Sequence, residues 1–527
     1  MLNAKYPKRN FDAWNLNFLW SLALGVWSLT AHAADQPQWG EKHSRNMVSV
    51  ERGLPDSFDP KSGANVKWSA QLGTQTHSTP IVAGGRVYIG TNNGEPRDPR
   101  HKGDRGVLMC FDEKDGRLLW QLIVPKIAED PYMDWTDTGI SSPVTVEGDR
   151  VYVVTNRGEV MCLDARGMAN GNDGPFRDEA AHMTPKGVSP TEPSATLQAA
   201  LGQADADILW IYDLVAGVGI WPHDAAHCSI LLDGSHLYVN TGNGVDNTHR
   251  KIRKPDAPSL VVLDKKTGQL LARDGEPIGP NIFHCTWSSP SLGKAGKTPL
   301  VIFAGGNGIV YSFEPVAALY ERRSGNSAVT DRRYNGLEPA ILKKVWQFDP
   351  DPTGPKENVH RYTTNRREGP SNIYGMPVFL KNCVFVAGGG DVFWGKNAAW
   401  LKCLDAASGK ELWSYPLGYH TLSTPAVQDG MVFVTDSQNT VHCVDAETGS
   451  GIWTHDAKGD MWASPLVADG KVYVGTRRGD FWVLAASREK KIISHIKLTD
   501  PISATATAAN GTLYIATMTR LYVVQKR

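Results

Sequence analysis

The chain of 527 residues has no excess charge of either sign, because 55 acidic and 55 basic side chains cancel. A balanced chain has no global field to draw it to nucleic acid or to an acidic membrane. Long apolar runs are scarce too. The one that stands out, Leu16 to Leu29, is shorter than the roughly 20 residues of a membrane span. Cysteine is sparse: there are seven, so at least one lacks a partner within the chain, and no two are adjacent. Cys-x-x-Cys-His is absent, which excludes a c-type haem attached through that motif. So are the Gly-x-Ser-x-Gly elbow, the phosphate-cradling P-loop and His-Glu-x-x-His. Any catalytic group must therefore be assembled from separate segments.

At the N-terminus, Lys5, Lys8 and Arg9 precede the apolar stretch, and Ala31-His32-Ala33 follows it. Basic, apolar and small-x-small segments in that order form a secretory signal. Residues 1–33 are expected to be a signal peptide cleaved after Ala33, and residues 34–63 an N-terminal extension. The mature chain is then expected in the periplasm or outside the cell, with no transmembrane segment and no cysteine after the cleavage site to carry a lipid.

What the sequence does have is punctuation: 52 Gly and 32 Pro spaced between short apolar runs, with 17 Trp, a composition that favours an all-β protein. The phrase "THSTPIVAGGRVYIGT" at residue 75 returns in altered form down the chain. Eight copies begin near His77, Ile140, His227, Trp287, Tyr374, Leu422, Trp462 and Ser503. The last intervals are about 40 residues, the length of a four-stranded propeller blade. A second phrase marks the turn between third and fourth strands: Asp112…Gly116…Trp120, Asp405…Gly409…Trp413 and Asp445…Gly449…Trp453. Asp bonds to the turn backbone, Gly takes the positive φ, and Trp buries a large surface against the next blade. The residues one place into each copy, Ser78, Ser141, Cys228, Ser288, Gly375, Ser423, Ala463 and Ala504, are all small, as strands crowding around one axis require.

The eighth copy stops after three strands, and residues 65–72 resemble the missing fourth. Pairing them with residues 520–526 removes an exposed sheet edge. The expectation is an eight-bladed β-propeller over residues 64–527, closed by its own N-terminal strand. Insertions 166–207 and 317–342 join third and fourth strands and are expected on the face opposite the long loops. The first, rich in Gly, Pro, Ala and acids, is expected to be partly disordered. Cys110, Cys162, Cys403 and Cys443 recur at one place in the blade and read as buried packers. Cys228 and Cys285, in adjacent repeats, are candidates for a bridge if the narrow geometry allows it.

Loops entering first strands and loops joining second to third strands share one face, where ligands usually bind, and here they are long. At the channel mouth, His77, His227, Trp287, Tyr374 and Trp462 offer donors and aromatic walls to a flat or sugar-like ligand. The alternative is that they plug the channel and pack on one another. His223, Asp224 and His227, with His284 one blade on, form a candidate set for Zn²⁺ or another transition metal, against the plainer reading of ordinary loop histidines. Three groups of cations, Arg97 to Arg105, Arg250 to Lys254 and Arg361 to Arg367, suit an anionic ligand or partner surface, or else an ordinary solvated face.

The Asp-x-x-x-Gly-x-x-x-Trp phrase and its flanking strands resemble the propeller repeat of the pyrroloquinoline-quinone (PQQ) family, over about residues 64–527. The resemblance implies the eight-bladed fold. It carries two functional branches: quinoprotein dehydrogenases that oxidise alcohols or sugars with PQQ and Ca²⁺, and non-catalytic exported propellers such as the outer-membrane barrel-assembly lipoprotein. Dehydrogenases of the first branch typically place an adjacent-cysteine disulfide over the quinone, which this chain lacks, and no catalytic residue carries over. The expectation is an exported non-catalytic propeller that binds a protein, a glycan or a small ligand on its long-loop face. The alternatives are a PQQ- and Ca²⁺-dependent oxidoreductase with an atypical site, and a metal-dependent hydrolase.

Overall fold

The computed structural model describes residues 34–127, 135–184, 198, 200–224, 227–316 and 338–527. The expected signal peptide, residues 1–33, lies outside them. Among the described residues no helix is long and apolar enough to cross a membrane.

The repeat forms the expected ring of eight antiparallel sheets, each with its strands in order. Blade one is Ile81–Ala83, Arg86–Asn92, Arg105–Asp112 and Leu118–Pro125. Blade eight takes three strands from the C-terminus, and its fourth is Val66–Gln71, which pairs antiparallel with Arg520–Val524. The second and third strands are continuous runs of buried Val, Ile, Leu, Tyr and Phe, since neighbouring blades cover both of their faces.

The recurring turn explains how blades are joined. Trp120, Trp413 and Trp453 each donate Nε1–H to a backbone carbonyl in the next blade, of Ala165, Ala446 and Ser487. Trp68, Trp210 and Trp346 do the same to Glu113, Lys265 and Ala406. Gly449 has φ 72°, and a Cβ there would lie 2.7 Å from the Trp413 ring. Glycine is thus required twice over, by the turn and by the indole on its α-carbon.

All seven cysteines are free, the four recurrent ones buried as packers. The bridge considered for Cys228 and Cys285 is not formed. Cys228 is buried beside Arg45, whereas Cys285 lies against Gly244 and Tyr374, so the two thiols have different neighbours.

The first insertion does not keep to the opposite face. Residues 204–206 run parallel to the outer strand of blade one, exchanging bonds with Gln121, and Asp205 takes Arg100 at 2.7 Å. Arg105 donates to Met183 O. The first insertion therefore climbs the outer rim toward the long loops, because the open edge of blade one offers it backbone partners. Residues 185–197 and 199, part of the segment expected to be disordered, lie outside the described residues. Of the second insertion, residues 317–337 are likewise outside, and Ala340–Ile341 adds a parallel fifth strand to blade three.

The extension of residues 34–63 is built into the ring. Gln36 pairs with Val82, Pro37 O accepts from Val146 N, His43 O from Leu292 N and Ser44 O from Phe379 N. Asn46 pairs with Val427, Val48 with Val467, and Ser49 donates to Ala508 O. His43 meets the first strand of blade three, Nε2 to Leu232 O at 3.2 Å, and Arg45 bonds the residues leading into it. Its guanidinium is fully buried and donates to Ser229 Oγ and O, Pro290 O and Trp39 O. One short segment thus touches the first strand of every blade and closes the channel opposite the long loops.

Candidate functional site

Closing one end of the channel turns it into a cup of about 520 Å³, within the range of small-molecule sites. The five channel-mouth residues His77, His227, Trp287, Tyr374 and Trp462 all line it, with Trp39 of the extension and Phe393 and Trp394 from the second-to-third loop of blade five. The aromatic wall is continuous: Trp287 meets Tyr374 at 5.0 Å, Phe393 meets Trp462 at 5.6 Å, and His77 stacks on Trp462 at 5.8 Å between centroids. Arg477 lies over Trp462 at 3.8 Å, the close cation–π arrangement.

On one side of the cup three imidazoles converge. His223 Nε2 is 3.0 Å from His284 Nε2 and 3.2 Å from His249 Nε2. Asp224 Oδ2 lies 3.2 Å from the first and 3.5 Å from the second of these nitrogens. The ligand atoms of all four residues fall within 4.8 Å of one another. Donors about 2.0–2.1 Å from one ion at a tetrahedral angle stand roughly 3.3 Å apart, so the spacing matches a single transition metal.

The local backbone explains the convergence. His223 and Asp224 enter blade three, His249 sits between its second and third strands, and His284 enters blade four. Asp224 and His249 both hold positive φ, 58° and 55°, uncommon for residues with a Cβ and frequent at functional sites. Gly244 lets the loops close: a Cβ there would lie 2.7 Å from both His223 Cβ and His284 O. Behind the cluster, His284 Nδ1 is 3.0 Å from the fully buried Asp391 Oδ2, which also bonds Tyr374. A carboxylate behind a ligating histidine fixes its tautomer and raises its basicity.

The charges follow from these neighbours. Burial pushes His249 down to about 4, with help from His223 and His284. Burial also holds His223 below its usual value. For His284 burial is outweighed by Asp391 and Asp224, which raise it to about 9. Asp224 is held below the usual carboxylate range, burial being outweighed by His223 and His284.

Of the four residues the sequence offers for a metal, His223, Asp224 and His284 come together and His227 stands apart, its ring 4.7 Å from Trp287. His249 takes the place given to His227. It lies in a long loop of the correct face, but its sequence neighbours are cations, which drew attention to charge. Asp391, Phe393 and Trp394 share another long loop, and neither their spacing nor that of Arg477 or Trp39 marks them as site residues. Each basic loop gives one arginine to internal bonds: Arg100 to Asp98 and Asp205, Arg253 to Asp246, and Arg366 to the carbonyls of Val392, Phe393 and Gly395.

Eight four-stranded blades locked by Asp-x-x-x-Gly-x-x-x-Trp turns around a ligand-sized cup define a PQQ-repeat propeller. The chain belongs to the family described as outer membrane protein assembly factor BamB (PQQ_2), whose model matches residues 48–122, 104–168, 343–481 and 397–525, more than half of the chain. Lupanine 17-hydroxylase [cytochrome c] of Pseudomonas sp is 23% identical over 382 residues, 66% of this chain and 50% of that protein. The chain thus spans about half the length of this curated relative. Among solved structures, BamB from Moraxella catarrhalis aligns with TM-score 0.50 at 13% identity, covering 87% of this chain and 96% of that one. A europium-containing methanol dehydrogenase aligns with TM-score 0.57 at 11% identity, covering 93% and 98%. These likenesses establish the fold, and the names span both assembly and oxidation.

Proposed function

We infer that this is an exported propeller whose working site is the central cup, where a small organic ligand binds beside a divalent transition metal held by His223, Asp224, His249 and His284. The observation that carries this reading is the meeting of three Nε2 atoms and a carboxylate at the wall of an aromatic cavity. Four protein donors leave a five- or six-coordinate ion one or two positions for a ligand oxygen or a water. A metal there polarises that oxygen or generates a hydroxide near neutral pH. Trp287, Tyr374 and Trp462 supply flat apolar walls for the rest of the ligand.

The cofactor implied by the PQQ resemblance fits this cup poorly. Ca²⁺ takes six to eight oxygen ligands, whereas among the described residues the cup is lined by one carboxylate, Asp224, already set against imidazoles. PQQ is a planar tricarboxylate, and the described lining has one guanidinium, Arg477, to receive it. Oxidation through a Ca²⁺–quinone pair is therefore not the reading adopted. Membership of the BamB family favours a second reading, protein docking on the long-loop face, although Arg100, Arg105, Arg253 and Arg366 there are turned to internal partners.

Titration of residues 34–527 with Co²⁺ tests the inference through its visible spectrum. One equivalent is expected to give a saturable absorption that His249→Ala abolishes and His227→Ala retains. Equal binding by wild type and His249→Ala would overturn it.

A further inference from the structure

Outside the cup, the first insertion gathers a second set of donors, all of them oxygen. Asp164 ends the third strand of blade two, Asp207 immediately precedes the fourth, and Asp173 follows the 3-10 turn Gly167–Asn170. One oxygen of each falls within 4.8 Å of the others. Asp207 is 0% exposed, and its Oδ1 has no hydrogen-bond partner among the described residues. Its other oxygen receives only Asp173 N, at 3.3 Å. Glu179, also 0% exposed, adds a further buried carboxylate whose Oε1 is unpartnered, while Oε2 receives Asn172 and Gln198 at 2.8 Å each.

Among the described residues the positive charge against these groups is small. Arg150 reaches Asp164 at 3.3 Å with its side chain 39% exposed. Arg177 is spent on Asn172. Buried carboxylates without a counter-charge cost several kcal/mol, and an orphaned buried oxygen adds to that. A hard cation answers both needs at once. Carboxylate oxygens without imidazole or thiol select Ca²⁺ or Mg²⁺ over transition metals, and an irregular loop suits the flexible geometry of Ca²⁺. Exposed Asp173 leaves the ion a route from solvent.

We propose that Asp164, Asp173 and Asp207 form a Ca²⁺ site that staples the 166–207 insertion to the rim of blade two. The staple reaches further through Asp205, which holds Arg100, and Met183 O, which holds Arg105, so the ion also steadies the long loop of blade one. This site shares no residue with the His223, Asp224, His249 and His284 cluster.

Chelator-stripped protein titrated with Tb³⁺, read by tryptophan-sensitised luminescence and displaced by Ca²⁺, tests the assignment, with limited proteolysis of the insertion as a second readout. One displaceable Tb³⁺ is expected, with cleavage within residues 166–207 slowed at least tenfold by Ca²⁺. Asp207→Asn should abolish both effects, and so should Asp173→Asn, which alters an exposed side chain and leaves folding intact. His249→Ala should leave both unchanged. Neither binding nor protection at about 10 mM Ca²⁺, well above the weakest extracellular sites, would overturn the proposal. So would binding that survives Asp173→Asn, or binding lost in His249→Ala.

Discussion

Asp391 holds His284 from behind, Oδ2 to Nδ1 at 3.0 Å, and so points the opposite nitrogen at His223. Neither residue follows the propeller repeat, yet the pair joins loops of the adjacent blades four and five. Asp391→Asn keeps the shape and removes the charge. Carboxylates behind ligating histidines contribute about 10–100-fold to metal affinity, and a loss in that range is expected. Competition between the protein and a chromophoric chelator measures it, and unchanged affinity would show that the pair serves packing alone.

Arg45 is the keystone of the segment that floors the cup. It is a fully buried cation satisfied by carbonyls and one hydroxyl, and burial pulls it down to about 10, so it stays charged at neutral pH. Arg45→Met preserves much of the volume and orphans those acceptors. Unsatisfied buried groups cost about 1–3 kcal/mol each, and a loss of about 3 kcal/mol or more is expected in urea unfolding, together with weaker ligand retention in the cup.

Gly449→Ala sets a Cβ against the Trp413 ring in a left-handed backbone. Overpacking and positive φ together predict a loss of about 2–4 kcal/mol. Combining it with Trp413→Ala should recover part of that loss in a double-mutant cycle, whereas simple additivity would mean that the two do not compete for the same space.

Asp274 gives a pH signature. Burial raises its carboxyl to about 6, although Ser259 N and Leu260 N donate to it. Because the folded value exceeds the unfolded one, its contribution to stability is present below pH ~4 and lost as pH rises through about 6. Asp274→Asn should therefore gain on wild type between pH 4 and 7, by up to about 3 kcal/mol. Chemical denaturation across that range checks the sign, and a constant difference would contradict it.

The repeat was legible because a blade is a local unit: alternation, turn chemistry and docking Trp recur within about 40 residues. Closure by residues 65–72 followed from counting strands. The five mouth residues were legible for the same reason, since each opens a copy and the ring brings the openings together. His249 and Asp391 were not, because a site shared among blades is fixed by the lengths of irregular loops, on which period says nothing. The flooring segment was hidden too. Many of its bonds to the blades are made by backbone atoms and leave no trace in side chains, and the side-chain bonds of Asp35, His43, Arg45, Asn46, Ser49 and Glu51 follow no period.

The most direct test of the central claim is anomalous diffraction from crystals of residues 34–527 equilibrated with Zn²⁺, recorded above and below the zinc edge. The account predicts one strong peak in the cup, about 2.0–2.2 Å from Nε2 of His223, His249 and His284 and from an Asp224 oxygen. Peaks confined to surface histidines, with the cluster empty at saturating zinc, would contradict it.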